Sequence, residues 1–170
     1  MRNDTQRHTL SILVNDQPGV LARVANLFSQ RGFNIESITV GPSEEPGLSR
    51  MVIVTRGDER VVEQICKQLH KLIDVIKVQR VSEFPMVERE LALIKVGASP
   101  AVRTEIQGIV EPFRAAVVDV GPQSLIVQVT GDPEKIDALI ELLRPYGIKE
   151  LTRTGVTAMM RGSVKQAVHA

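Results

Sequence analysis

The sequence predicts an α+β fold made of two tandem ferredoxin-like domains. Each is a βαββαβ unit, an antiparallel four-stranded sheet with two helices on one face. Three observations predict it. Apolar runs and helical spacings alternate in the order β-α-β-β-α-β; that order begins again after Ser82-Glu83-Phe84-Pro85; and the interval from Pro18 to Val40 nearly equals that from Pro100 to Val120. The chain has 170 residues, so each half is only marginally able to fold alone and is expected to pack or dimerise.

The first strand is Leu10-Ser11-Ile12-Leu13-Val14, a short β-branched and leucine run. Val20, Leu21, Val24, Leu27 and Phe28 then mark one face of a helix that runs to Gln30 and stops at Arg31-Gly32. Asn34 to Val40 reads as a strand, 41–47 as a Pro/Gly loop, and Leu48 to Thr55 as a strand. Its unbroken apolar block, Met51-Val52-Ile53-Val54, predicts a central position with both faces covered. Asp58 is placed to cap a second helix carrying Val61, Val62, Ile65, Leu69 and Leu72, and Val75 to Val81 closes the domain.

The first domain is thus expected at 1–81, a linker at 82–86 and the second domain at 87–161, with a loose tail over 162–170. In the second domain Glu90 to Val96 is a strand, and Ser99-Pro100 opens a helix carrying Val102, Ile106, Ile109, Val110 and Phe113. Ala115 to Val120 and Ser124 to Val129 are strands about Gly121-Pro122. Asp132-Pro133 opens a helix with Ile136, Leu139, Ile140 and Leu143, stopped near Pro145 and Gly147, and Ile148 to Val156 is the last strand.

Composition removes several functional classes. A net charge of +1 gives no electrostatic case for nucleic acid or a membrane surface. No run approaches the roughly 20 apolar residues of a membrane span. The first seven residues lack the apolar region of a signal peptide, and the single cysteine, Cys66, excludes an internal disulfide; a cytoplasmic protein is expected. His8, His70 and His169 are scattered without metal-ligand spacing, no glycine-rich phosphate loop occurs, and Cys66 reads as a small core residue. No metal or cofactor is expected in this chain, and no intrinsic catalysis. RNA-binding modules share the strand order, but they stack bases on aromatics of the central strands, which here carry aliphatics. Glu88-Arg89-Glu90 reads as a solvated or inter-domain patch.

The chemistry points to the first strand-to-helix corner, Asn15-Asp16-Gln17-Pro18-Gly19-Val20-Leu21. Pro18 suits the first helical position, and Gly19 permits close approach to the backbone. A helix opening there directs amides and a partial positive charge outward, as a carboxylate requires. The second strand is an edge with one charge, Glu36, and no proline before Val40, so it is expected to be covered by a second copy. Asn34, at the start of that strand, is expected near Asp16 and Gly19. The seam pocket would offer the N–H groups of Gly19, Val20 and Leu21 to a carboxylate, Asp16 to an ammonium, and Asn34 to either. The plainer alternative is that Asp16-Gln17-Pro18-Gly19 is a good turn and nothing more.

Asp16-x-Pro18-Gly19-x-Leu21 followed by Gly32-x-Asn34-Ile35 resembles the ACT domain, a family of amino-acid sensors. Phe28 to Ser37, Pro46 to Met51, Glu63-Gln64-Ile65, His70-Lys71-Leu72, Val87 to Val96 and Arg153-Thr154-Gly155-Val156 together resemble the small regulatory subunits of acetolactate synthase. That resemblance implies a large catalytic subunit as partner, holding thiamine diphosphate, Mg²⁺ and FAD. It also implies activation of that partner, a homodimer, and feedback inhibition by a branched-chain amino acid, valine foremost. Effector contacts carry over to Asp16, Gly19, Val20, Leu21, Asn34 and Ile35. Ala101 stands where the first domain has Gly19, so the second domain is expected to lack the pocket. The alternative is a free-standing ACT sensor acting on another enzyme or a transcription regulator.

Overall fold

The computed structural model describes residues 6–162. The expected tail from 163 on and the first five residues lie outside the described residues. Among the described residues no helix is long and apolar enough to cross a membrane. The chain divides into two compact units. One holds the described residues up to Val87 together with those from Val156, and the other is Glu88–Gly155.

The first unit runs β1 (Gln6–Asn15), α1 (Val20–Gln30), β2 (Ile35–Pro42), β3 (Leu48–Gly57), α2 (Glu59–His70) and β4 (Val75–Arg80). Its antiparallel sheet has the order β2-β3-β1-β4, so the predicted centre and edges hold. Leu10, Ile12 and Val14 of β1 and Met51 and Ile53 of β3 point to one face, where Val24 and Phe28 of α1 and Val62, Ile65 and Leu69 of α2 close the core. Asp58 caps α2 by accepting the Val61 N–H at 2.9 Å. Asp58→Ala is expected to cost about 1 kcal/mol, measured as a lower urea midpoint at unchanged slope.

The other face of this sheet is covered too, and by a part of the chain that the sequence reading placed elsewhere. Val52 and Val54 pack with Val81, Val156 and Ala158, while Met86 and Met160 flank the cluster. The expected strand from Ile148 to Val156 is in fact two, β8 (Ile148–Arg153) and β9 (Thr157–Met160). Gly155 separates them at φ 82°, a conformation that L side chains resist, so the chain turns there and cannot continue the strand. β9 returns to the first unit: Thr39 Oγ1 donates to the Val156 carbonyl at 3.3 Å and the Arg161 N–H to the Pro85 carbonyl at 2.8 Å. The segment expected as a linker is also structured. Val81–Glu83 form a 3₁₀ turn, and Ser82 Oγ accepts the Thr9 N–H at 3.0 Å.

The second unit carries β5 (Met86–Gly97), which begins at the end of the first, then α3 (Arg103–Val110), β6 (Ala116–Val120), β7 (Ser124–Gly131), α4 (Pro133–Leu143) and β8. Its sheet order is β6-β7-β5-β8, and β9 pairs with β5 as a fifth strand where four were expected. Ala92, Ile94 and Val96 of β5 and Leu125, Val127 and Val129 of β7 meet Ile106, Val110, Ile136, Leu139 and Leu143 from the helices. Asp132 caps α4 through the Lys135 N–H at 2.8 Å.

One expectation fails here. Glu90, read as part of a solvated or inter-domain patch, is not solvated: its side chain is only 5% exposed. Arg153 grips it through Nε–Oε1 at 2.6 Å and Nη2–Oε2 at 2.9 Å, and its third nitrogen reaches Asp137 Oδ1 at 2.6 Å. The two carboxylates hold the Arg153 guanidinium far above its ordinary range, the Glu90 hydrogen bonds contributing most.

Candidate functional site

Gly19 is the N-cap of α1, at φ 85° and ψ −7°. Pro18 therefore lies in the turn before the helix and not at its first position, because the left-handed glycine must come first. The turn is closed by Gln17 N–H to the Asn15 carbonyl at 3.0 Å and Val20 N–H to the Gln17 carbonyl at 3.3 Å; Arg23 N–H to the Gly19 carbonyl, 3.0 Å, starts the helix. Of the three amides expected to be free, Val20 is thus partly engaged. Gly19 and Leu21 have no backbone acceptor among the described residues.

α1 also lacks what closes α2 and α4. No side chain caps its N-terminus, and no acidic residue stands in its first turn. Its opening N–H groups and partial positive charge are left to whatever approaches from outside. Asp16 is exposed and fixed through its backbone, its N–H meeting the Gly47 carbonyl at 2.9 Å. Val20 is 3% exposed and belongs to the core, whereas Leu21 is 47% exposed and available as a contact.

Asn34 and Ile35 are not at this corner. Ile35 pairs with Thr55, and Thr55 with His8, so they stand at the beginning of β1; the Asn34 carbonyl accepts Thr55 Oγ1 at 2.6 Å. Asn15, leading into Asp16, pairs with Leu48 at the far end of the same strands. The strand between spans about 23 Å at 3.3 Å per residue. The expected closeness of Asn34 to Asp16 and Gly19 therefore fails within one copy of the chain. The reason is topological: α1 carries the chain back along the sheet before β2 begins.

Sequence reasoning missed Arg23. A Cβ added at Gly19 would lie 3.0 Å from Arg23 Nη1, so the guanidinium stands against the glycine. It is held there by Asp74 Oδ2, 3.0 Å from Nε and 2.6 Å from Nη2. The available signal was its position. A cation one turn into a helix opposes the macrodipole and calls for a compensating anion. In the second unit the strand-to-helix corner is filled by its own chain, since Arg103 donates to the carbonyls of Gly121 and Pro122.

Nothing else among the described residues forms a reactive centre. No group of three His, Cys, Asp or Glu among the described residues could hold a metal. His8 is buried with Nε2 3.1 Å from the Gly57 carbonyl, and burial pushes the Cys66 thiol up, away from the reactive thiolate.

Comparison with known proteins matches residues 10–77 to the model of the "AHAS small subunit-like ACT domain" and residues 89–162 to that of the "Small subunit of acetolactate synthase". A Methanothermobacter thermautotrophicus protein described as "Probable acetolactate synthase small subunit" is 60% identical over 96% of both chains. The acetolactate synthase small subunit of Bacillus subtilis is 54% identical over 95% of both. The crystal structure of the Thermotoga maritima acetolactate synthase small subunit superposes with a TM-score of 0.87 at 48% identity, covering 94% of this chain and 99% of that one.

Proposed function

The chain belongs to the family of acetolactate synthase small subunits, the non-catalytic regulatory partners in branched-chain amino-acid biosynthesis, and from that premise we propose that it senses a branched-chain amino acid, valine foremost, at a site shared by two copies of itself. The observation that carries this reading is the opening of α1: a left-handed glycine, uncapped by any side chain, at the end of a sheet strand. The effector's carboxylate meets the amides of Gly19 and Leu21, with Val20 beneath them as packing. Asp16 takes the ammonium group.

The distance between Asn34 and Gly19 argues for a second copy. β2 is an edge strand with Val40 46% exposed, and its single acid, Glu36, is already paired with Arg56. If two β2 strands pair antiparallel about a two-fold axis, the Asn34 end of one lies beside the Pro42 end of the other. Pro42 pairs with Ser49 and Ser49 with Val14, which is the end of the sheet that bears Asp16 and Gly19. Asn34 and Ile35 of the partner subunit then complete the corner, the amide facing a pole of the ligand and Ile35 joining Leu21 around its branched side chain. Binding clamps the dimer and favours a low-activity arrangement of the complex with the large subunit, through a coupling of about 1–3 kcal/mol. Thiamine diphosphate, Mg²⁺ and FAD belong to that large subunit. The chain is read as cytoplasmic, as its biosynthetic role requires.

A mixing experiment tests the shared site. Asn34→Ala is expected to weaken the effector by about 1–3 kcal/mol, and Gly19→Asp to abolish binding. A mixed dimer of the two single variants contains one doubly damaged site and one intact site. Calorimetry with valine on the purified mixed dimer should recover one wild-type site per two chains. No recovery would mean that both residues act within one copy, and the composite site would be wrong.

A further inference from the structure

The molecule has a second feature that the effector site does not use. A groove of about 360 Å³ runs between α1 and α2, with Arg23, Arg31 and Lys71 on its walls, the Gln68 amide beside them, and Leu27 and Leu72 at its base. Among the described residues no carboxylate lines it. Arg23 is neutralised by Asp74, but Arg31 and Lys71 are exposed and carry no ion pair among the described residues. Two unpaired cations in one groove give it a local positive field, in a chain whose net charge is only +1.

From this groove we infer the docking site for an acidic segment of the catalytic partner, one in which carboxylates flank an aliphatic anchor. The inference rests on the regulatory role proposed above. The chemistry of the groove selects the occupant. Arg31 and Lys71 supply unpaired positive charge, which steers and orients an acidic chain. Leu27 and Leu72 are half-buried against the core and give an aliphatic side chain an apolar seat, for which a free inorganic anion has no use. The groove lies between the helices and not at the β2 edge, so a dimer seam there leaves it accessible. Arg23 gives the arrangement a regulatory meaning, since the same guanidinium lines the groove and stands against Gly19. The corner and the groove thus have one side chain as common neighbour.

The test uses the full chain and its large subunit, assayed for activation at increasing concentrations of the regulatory chain. Arg31→Glu with Lys71→Glu is expected to raise the concentration for half-maximal activation at least tenfold, with valine binding by calorimetry unchanged. Lys77→Glu, a charge reversal on β4, should leave activation where it was. The milder pair Arg31→Gln with Lys71→Gln guards against misfolding of the reversed variant. It should raise the concentration several-fold and flatten the salt dependence of activation. If wild type activates and both paired variants activate at the same concentration, the groove is not the docking site. If inorganic phosphate binds the wild type but not the glutamine pair by calorimetry, while that pair activates at the wild-type concentration, the groove is a small-anion site and the inference is overturned. If the wild-type chain fails to activate the large subunit, the regulatory role itself falls and the inference falls with it.

Discussion

Replacing Gly19 by Asp should release the synthase from its effector while leaving its activation intact. The backbone at Gly19 is left-handed, which costs an L residue about 1–2 kcal/mol, although Asp tolerates it better than most. Gly19→Ala incurs that backbone cost alone. Gly19→Asp adds a carboxylate beside Arg23 and across the opening of α1, where the ligand's own carboxylate is proposed to lie. Juxtaposed like charges cost several kcal/mol, so valine should bind at least about 100-fold more weakly to the Asp variant than to wild type. The Ala variant should lose much less. Inhibition curves of the reconstituted enzyme, with calorimetry beside them, give the comparison. An Asp variant inhibited at the wild-type valine concentration would remove the anion site from this corner.

The second large effect concerns stability. Arg153→Met leaves the Glu90 carboxylate buried without the guanidinium that grips it from two sides. Breaking one side of a buried pair costs about 3–5 kcal/mol, and the partial exposure of Arg153 argues for the lower end. For a chain of this size about 3 kcal/mol lowers the melting temperature by roughly 6–12 °C. Arg144→Met provides the contrast, because its pair with Glu141 is exposed on both sides and contributes little. The double variant Arg153→Met with Glu90→Gln should recover part of the loss. Equal melting temperatures for Arg153→Met and Arg144→Met would show that the buried pair contributes nothing.

The elements, their order and the central strands were legible because apolar spacing reports how each segment is buried. Met51 to Val54 announced a strand covered on both faces, and it is one. What covers its second face was not legible. Val156 and Ala158 lie about a hundred residues downstream, just before and within a four-residue strand whose pattern is too short to have a direction. Glu90 misled for a related reason: a charged run looks solvated until its partner is known, and Arg153 is 63 residues away. At the candidate site, the unusual conformation at Gly19 was foreshadowed by the residue itself. The separation of Asn34 from Asp16 was not, because periodicity identifies a strand without saying at which end of the sheet it starts. Arg23 drew no notice because a lone arginine on a helix is ordinary until its neighbours are seen.

The return of β9 also bears on how the molecule comes into being. Synthesis runs from the N-terminus at about 5–20 residues per second, and a finished domain normally closes as it emerges. Here the ribosome must make everything from Glu88 to Gly155 before Val156 and Ala158 exist to shelter Val52 and Val54. The unit that starts the chain is consequently the last to be completed. A polypeptide released early, with its first eighty residues whole, emerges with an oily sheet face and nothing of its own to lay over it.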